Sequence, residues 1–231
     1  MDRISNALLP LKQGLQLSAM VVCLLWLIWL LDWSFDWSLY QYGIYPRQTF
    51  GLVGIVVAPL IHGSAEHLAA NSTGVLVLGS ALYFGYPHSR GRVLLLVWLA
   101  AGIGVWLAGR PSYHFGASGL THGVFFFLLI SSLLRRDLRS IGLMMVAFLL
   151  FGGMVYGVLP QDPGISFESH LFGAVGGVLA ALWFARRDPQ PTRKRYRYEQ
   201  DDSDPTDGLW QQLPESEEAQ RQYRHSRRER L

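Results

Sequence analysis

Six stretches of about 17 to 20 residues are almost wholly apolar, at 17–33, 67–86, 91–109, 118–134, 140–159 and 167–185, and each is long enough to cross a bilayer core as a helix. Short breaks with polar, Gly or Pro residues separate them. The sequence therefore predicts an all-α membrane protein, a bundle of six transmembrane helices. The first stretch follows Arg3 and Lys12 as a secretory signal would, but Asp32-Trp33-Ser34-Phe35 stands where small residues should mark a cleavage site, so it is read as a retained helix.

Only 16% of the 231 residues are charged, against roughly 25% in soluble domains. More than half of the 20 Lys and Arg lie after residue 185, so the basic balance describes a tail and short loops and not a nucleic-acid-binding face. Lys and Arg also set orientation, because cytoplasmic loops carry their excess. Arg3 and Lys12, then Arg90 and Arg92, then Arg135, Arg136 and Arg139, then Arg186 and Arg187 all fall on one side, while the other side holds only Arg47 and Arg110. Six crossings with both termini cytoplasmic follow. The predicted organisation is a cytoplasmic N-terminus over 1–16, a six-helix membrane domain over 17–185, and a disordered cytoplasmic tail over 186–231, too polar to bury a core of its own. Residues 34–66 form a long outer loop whose Trp and Tyr suit the interface, and loops of that length are often functional. Cys23 is the only cysteine, which excludes a disulfide framework and a cysteine-based zinc site.

Strongly polar residues inside a span are costly unless they face a cavity or one another. Four such residues are singled out: His67 and Asn71 in the second span, Ser118 at the head of the fourth, and His170 in the sixth. In the orientation above these spans all descend from the outer face, and at 1.5 Å per residue all four residues lie within roughly its first two turns. His67 and Asn71 are four apart and share a helix face. Glycines flank Ser118 in Gly116-Ala117-Ser118-Gly119, which permits a tight approach to a helix start with unpaired N–H groups. His170 leads into Gly173-xxx-Gly177, a small-residue face that lets another helix come close.

These motifs, in this order and on these spans, resemble the rhomboid family of intramembrane serine proteases. The resemblance runs from the first span to about residue 185. It implies that Ser118 is the nucleophile, His170 the general base, and His67 and Asn71 donors to the oxyanion, with no cofactor and no metal. The chain departs from the family pattern in two places. No Trp-Arg pair occurs in the first outer loop, and His122 stands four after the nucleophile where an aromatic residue is common.

A serine hydroxyl needs a base to take its proton, and a neutral imidazole suits that task. Glu168 is two residues from His170 and so on a different helix face, which leaves a dyad and not a triad. His122 is the other candidate base, but an i,i+4 neighbour is poorly aimed at a hydroxyl facing across the bundle. The expected substrates are transmembrane proteins whose spanning helices unwind locally before cleavage, with helix-weakening residues near the outer boundary and a small residue at the cut. Gly152-Gly153 and the loop Pro160–Ser166 are candidate gate elements. The expected setting is the plasma (inner) membrane of a prokaryote with the site open to its outer face. The sequence assigns no oligomeric state. The competing classes are a catalytically silent rhomboid-like protein that binds client helices, a transporter and a metallohydrolase. The polar set stops in the outer half of the membrane and no repeated half is visible, against a transporter. No His-Glu-x-x-His spacing occurs, against a zinc hydrolase of that type.

Overall fold

The computed structural model describes residues 2–160, 162, 164–190, 221 and 225. The chain divides into two units, Met1–Pro191 and Thr192–Leu231, and beyond residue 190 the expected tail lies outside the described residues except for Arg221 and His225. Regular structure in the first unit is helical: α1 (Asp2–Phe35), α2 (Gly54–Val57), α3 (Ala65–Gly85), α4 (Arg90–Ala108), α5 (Ser118–Arg135), α6 (Leu138–Phe151), α7 (Met154–Gly157) and α8 (Phe167–Phe184).

Five helical segments among the described residues are long and apolar enough to cross a membrane: Leu9–Phe35, Ala65–Gly85, Arg90–Ala108, Ser118–Arg135 and Phe167–Arg187. The stretch expected as a single span over 140–159 differs. It forms α6, of 14 residues, then a break at Gly152-Gly153, then the four-residue turn α7. A glycine pair weakens helix propagation there. The first helix also extends further than the expected 17–33, with Pro10 inside it. At the other boundary, Asp188 is buried and accepts from the His88 N–H at 2.6 Å, and Arg135 donates to the Ala185 and Asp188 carbonyls.

Large apolar side chains cover the outside of the bundle, such as Leu149 at 85% exposed and Met145 at 62%. A surface of that kind is unfavourable in water and suits lipid; the protein is a membrane protein. Inside, α8 packs most extensively on α5 and α4, and α1 on α3. Glycine makes the α5–α8 approach possible. A Cβ at Gly173 would collide with the Gly119 carbonyl oxygen, and one at Gly177 with that of Gly123.

The long loop between α1 and α3 is folded onto the bundle. Ile44 and His114 exchange two main-chain hydrogen bonds of 2.9 Å. Trp98 and Trp106 donate their indole N–H groups to the Ile55 and Gln48 carbonyls, each at 2.9 Å, and Arg47 donates to the Leu107 and Gly109 carbonyls. The Gly116 N–H reaches the Ala58 carbonyl at 2.9 Å, so the loop bears directly on the segment that leads into Ser118.

Candidate active site

Ser118 is the first residue of α5. Side chains cap the starts of α3, α6 and α8, where Ser64, Asp137 and Ser166 accept from main-chain N–H groups. No side chain caps α5, so its first N–H groups keep the donor capacity that every helix start has. The approach is set by Gly116, whose φ of 111° lies in the left-handed region that favours glycine. Ala117 then donates its N–H to His62 Nε2 at 3.4 Å.

The close α5–α8 contact brings His170 to Ser118, with His170 Nε2 2.9 Å from the Ser118 hydroxyl oxygen. On the far side of the ring, Nδ1 is 2.9 Å from the Gly157 carbonyl oxygen. A carbonyl can only accept, so Nδ1 carries the hydrogen and the neutral ring presents a lone pair at Nε2. The Ser118 hydroxyl therefore donates to Nε2. No carboxylate among the described residues bonds to His170. Glu168 turns instead toward Arg110, with Oε1 3.4 Å from Nε, and Oε2 stands 3.9 Å from His114 Nδ1.

His67 and Asn71 both reach the Gly116 side of this pair. A Cβ built on Gly116 would stand 2.7 Å from His67 Cε1, 2.8 Å from its Nε2 and 3.7 Å from Asn71 Nδ2. Asn71 is buried and spends one amide hydrogen on the His67 carbonyl at 3.1 Å, which leaves the other free to donate. Neither side chain hydrogen-bonds to Ser118 among the described residues. His122 lies flat against His170, ring centroids 3.8 Å apart and planes within 6°. Its Nδ1 meets the Ser118 carbonyl at 2.8 Å, not the hydroxyl.

Sequence reasoning missed three supports. His62, near the end of the long loop before α3, is 2% exposed and its ring lies 5.1 Å from that of His67. Burial, with His67 adding to it, pushes the His62 imidazole down to about 4, so it stays neutral and able to accept from Ala117. The Gly157 carbonyl is a main-chain group that no side-chain motif reveals. The third support ties the α4–α5 link to the start of α8: His114 is 1% exposed, donates from Nε2 to the Arg110 carbonyl at 3.0 Å and accepts at Nδ1 from the Ser166 hydroxyl at 2.6 Å. The five-residue spacing of His62 and His67, which places them on opposite sides of a helix start, carried no signal of their contact.

Fold and site together define a helical membrane protein with a serine–histidine pair held between two close-packed helices. Residues 49–187 match the Rhomboid domain, and the chain belongs to the rhomboid family, whose members are generally intramembrane serine proteases. Uncharacterized proteins of Mycobacterium bovis and Mycobacterium tuberculosis are each 37% identical over 169 residues, covering 69% of this chain and 70% of theirs. An uncharacterized protein of Mycobacterium leprae is 36% identical over 170 residues, covering 69% of this chain and 67% of its own. No solved structure matches the chain.

Proposed function

We propose that the protein is an intramembrane serine endopeptidase that hydrolyses peptide bonds in or near transmembrane segments of other membrane proteins. The observation that carries this reading is the 2.9 Å contact between Ser118 Oγ and a His170 Nε2 whose tautomer the Gly157 carbonyl fixes. In the reaction, His170 Nε2 takes the hydroxyl proton as Ser118 Oγ attacks the carbonyl carbon. The resulting oxyanion is received by the Ser118 main-chain N–H, His67 and Asn71. Collapse breaks the C–N bond, and the proton on His170 passes to the leaving amine. Water, deprotonated by the same imidazole, then releases the acyl group from Ser118.

A helical substrate has its carbonyls hydrogen-bonded internally, and lipid offers no replacement partners. Local unwinding must precede attack, which favours Gly, Pro and other helix-weakening residues near the cut. The α6–α7 stretch completes a sixth crossing in this reading, with both termini cytoplasmic and the site open to the outer face of a prokaryotic inner membrane. A serine-directed fluorophosphonate probe tests the assignment: it labels the wild type and fails on Ser118→Ala. Equal labelling of both proteins would remove Ser118 from the nucleophile role, and absence of labelling and of cleavage in the wild type would favour a silent, client-binding relative.

A further inference from the structure

A cavity of about 230 Å³ lies beside the dyad, where the bundle is interrupted after Gly152-Gly153. Met154, Leu159, Ile165 and Phe167 give it apolar walls, and the imidazoles of His122 and His170 are the polar side chains that line it. Both nitrogens of His170 are engaged, by Ser118 and by Gly157. His122 is different. Its plane is fixed by the stack on His170, and Nδ1 must carry a hydrogen to donate to the Ser118 carbonyl. The neutral ring therefore holds a lone pair at Nε2.

That atom is buried and has no hydrogen-bond partner among the described residues. It faces Gly157, where a Cβ would stand 2.7 Å from it. Gly157, which has no side chain, is the last residue of the short turn α7, and that turn is joined to α6 through the glycine pair. A buried acceptor without a donor is unfavourable, so an arriving donor would be bound strongly relative to an apolar group of the same shape.

We propose that His122 is a specificity-determining residue: its Nε2 accepts a hydrogen bond from a substrate side chain that lodges in this cavity. The proposal rests on the reading of Ser118 and His170 as a peptide-cleaving pair. The side chain it fits has an apolar stem for the Met154 and Phe167 walls and an N–H or O–H donor at its end, as in Thr, Gln, Tyr or Trp. A carboxylate in the same place would set lone pairs against lone pairs and is rejected.

The test uses the full-length protein in liposomes and single-span substrates that differ at one position near the cut in near-isosteric pairs, Thr and Val, Gln and Met, Tyr and Phe. At one position kcat/KM favours the donor-bearing member by roughly 3–10-fold, the value of one net hydrogen bond. In His122→Phe, which keeps a ring against His170 but has no acceptor, that ratio falls to about one, while His122→Tyr, whose hydroxyl also accepts, retains a preference. Equal kcat/KM within every pair in the wild type overturns the proposal without recourse to any variant, as does a ratio that His122→Phe leaves unchanged. If no substrate is cut in a Ser118-dependent way, the peptidase reading has failed and this one with it.

Discussion

Replacement of Gly173 by alanine tests whether the α5–α8 approach makes the site. The added Cβ would lie well inside contact distance of the Gly119 carbonyl oxygen and also against its carbonyl carbon at 2.9 Å. Both are main-chain atoms of the helix that begins at Ser118, so no side chain can swing aside. Close-packed interiors absorb little strain, and relief requires the helices to part by on the order of 1 Å, which takes the 2.9 Å Ser118–His170 contact out of hydrogen-bond range. A displacement of that size costs ~100-fold in rate. The assay is kcat/KM on a reconstituted single-span substrate, with thermal unfolding followed in parallel. Gly142→Ala on α6 is the control: nothing lies within 4 Å of its added Cβ, and its effect on stability should stay within about 1 kcal/mol and favour folding. If Gly173→Ala cleaves at the wild-type rate, the close approach of these two helices does not set the dyad geometry.

His67→Ala and Asn71→Ala should each lower kcat by ~100–1000-fold while KM changes little, because an oxyanion exists only after attack; a rise in KM at constant kcat would make them substrate-binding or structural groups instead. His62 gives a pH signature. Its folded value of about 4 lies below the ordinary 6.5, so the unfolded chain takes up its proton first as pH falls. Stability is full above pH 6.5, declines as pH drops from there toward 4, and levels off below, by up to about 3 kcal/mol. His62→Gln should flatten that decline in thermal unfolding measured in detergent, and a slope identical to wild type would show that other groups produce it.

The helices that carry the candidate site were legible because lipid makes polar residues conspicuous. His67, Asn71, Ser118 and His170 stand out only against apolar surroundings. The glycines at 173 and 177 likewise announced a close helix pair, which the collision of their added Cβ atoms with α5 now locates. Less legible were features built from the main chain. The Gly157 carbonyl that orients His170 leaves no mark in composition, and a window of hydropathy runs straight through the Gly152-Gly153 break between α6 and α7. The loop before α3 was visible as long, but the Ile44–His114 bridge and the Arg47 contacts join segments 60 to 70 residues apart in the chain. His122 was recognised as a neighbour of Ser118 from its i,i+4 spacing. Its parallel stack on His170 depends on the distance between α5 and α8, which no single-helix pattern encodes.

Joint peptide-bond cleavage by Ser118 and His170 is tested most directly by cleavage of a single-span substrate in liposomes by wild type, Ser118→Ala, His170→Ala and His122→Ala, with products mapped by mass. The expected result is one cut near the outer boundary of the substrate span, at least ~10⁴-fold slower after loss of either Ser118 or His170. Cleavage that persists in His170→Ala and vanishes in His122→Ala would contradict it and move the base to His122.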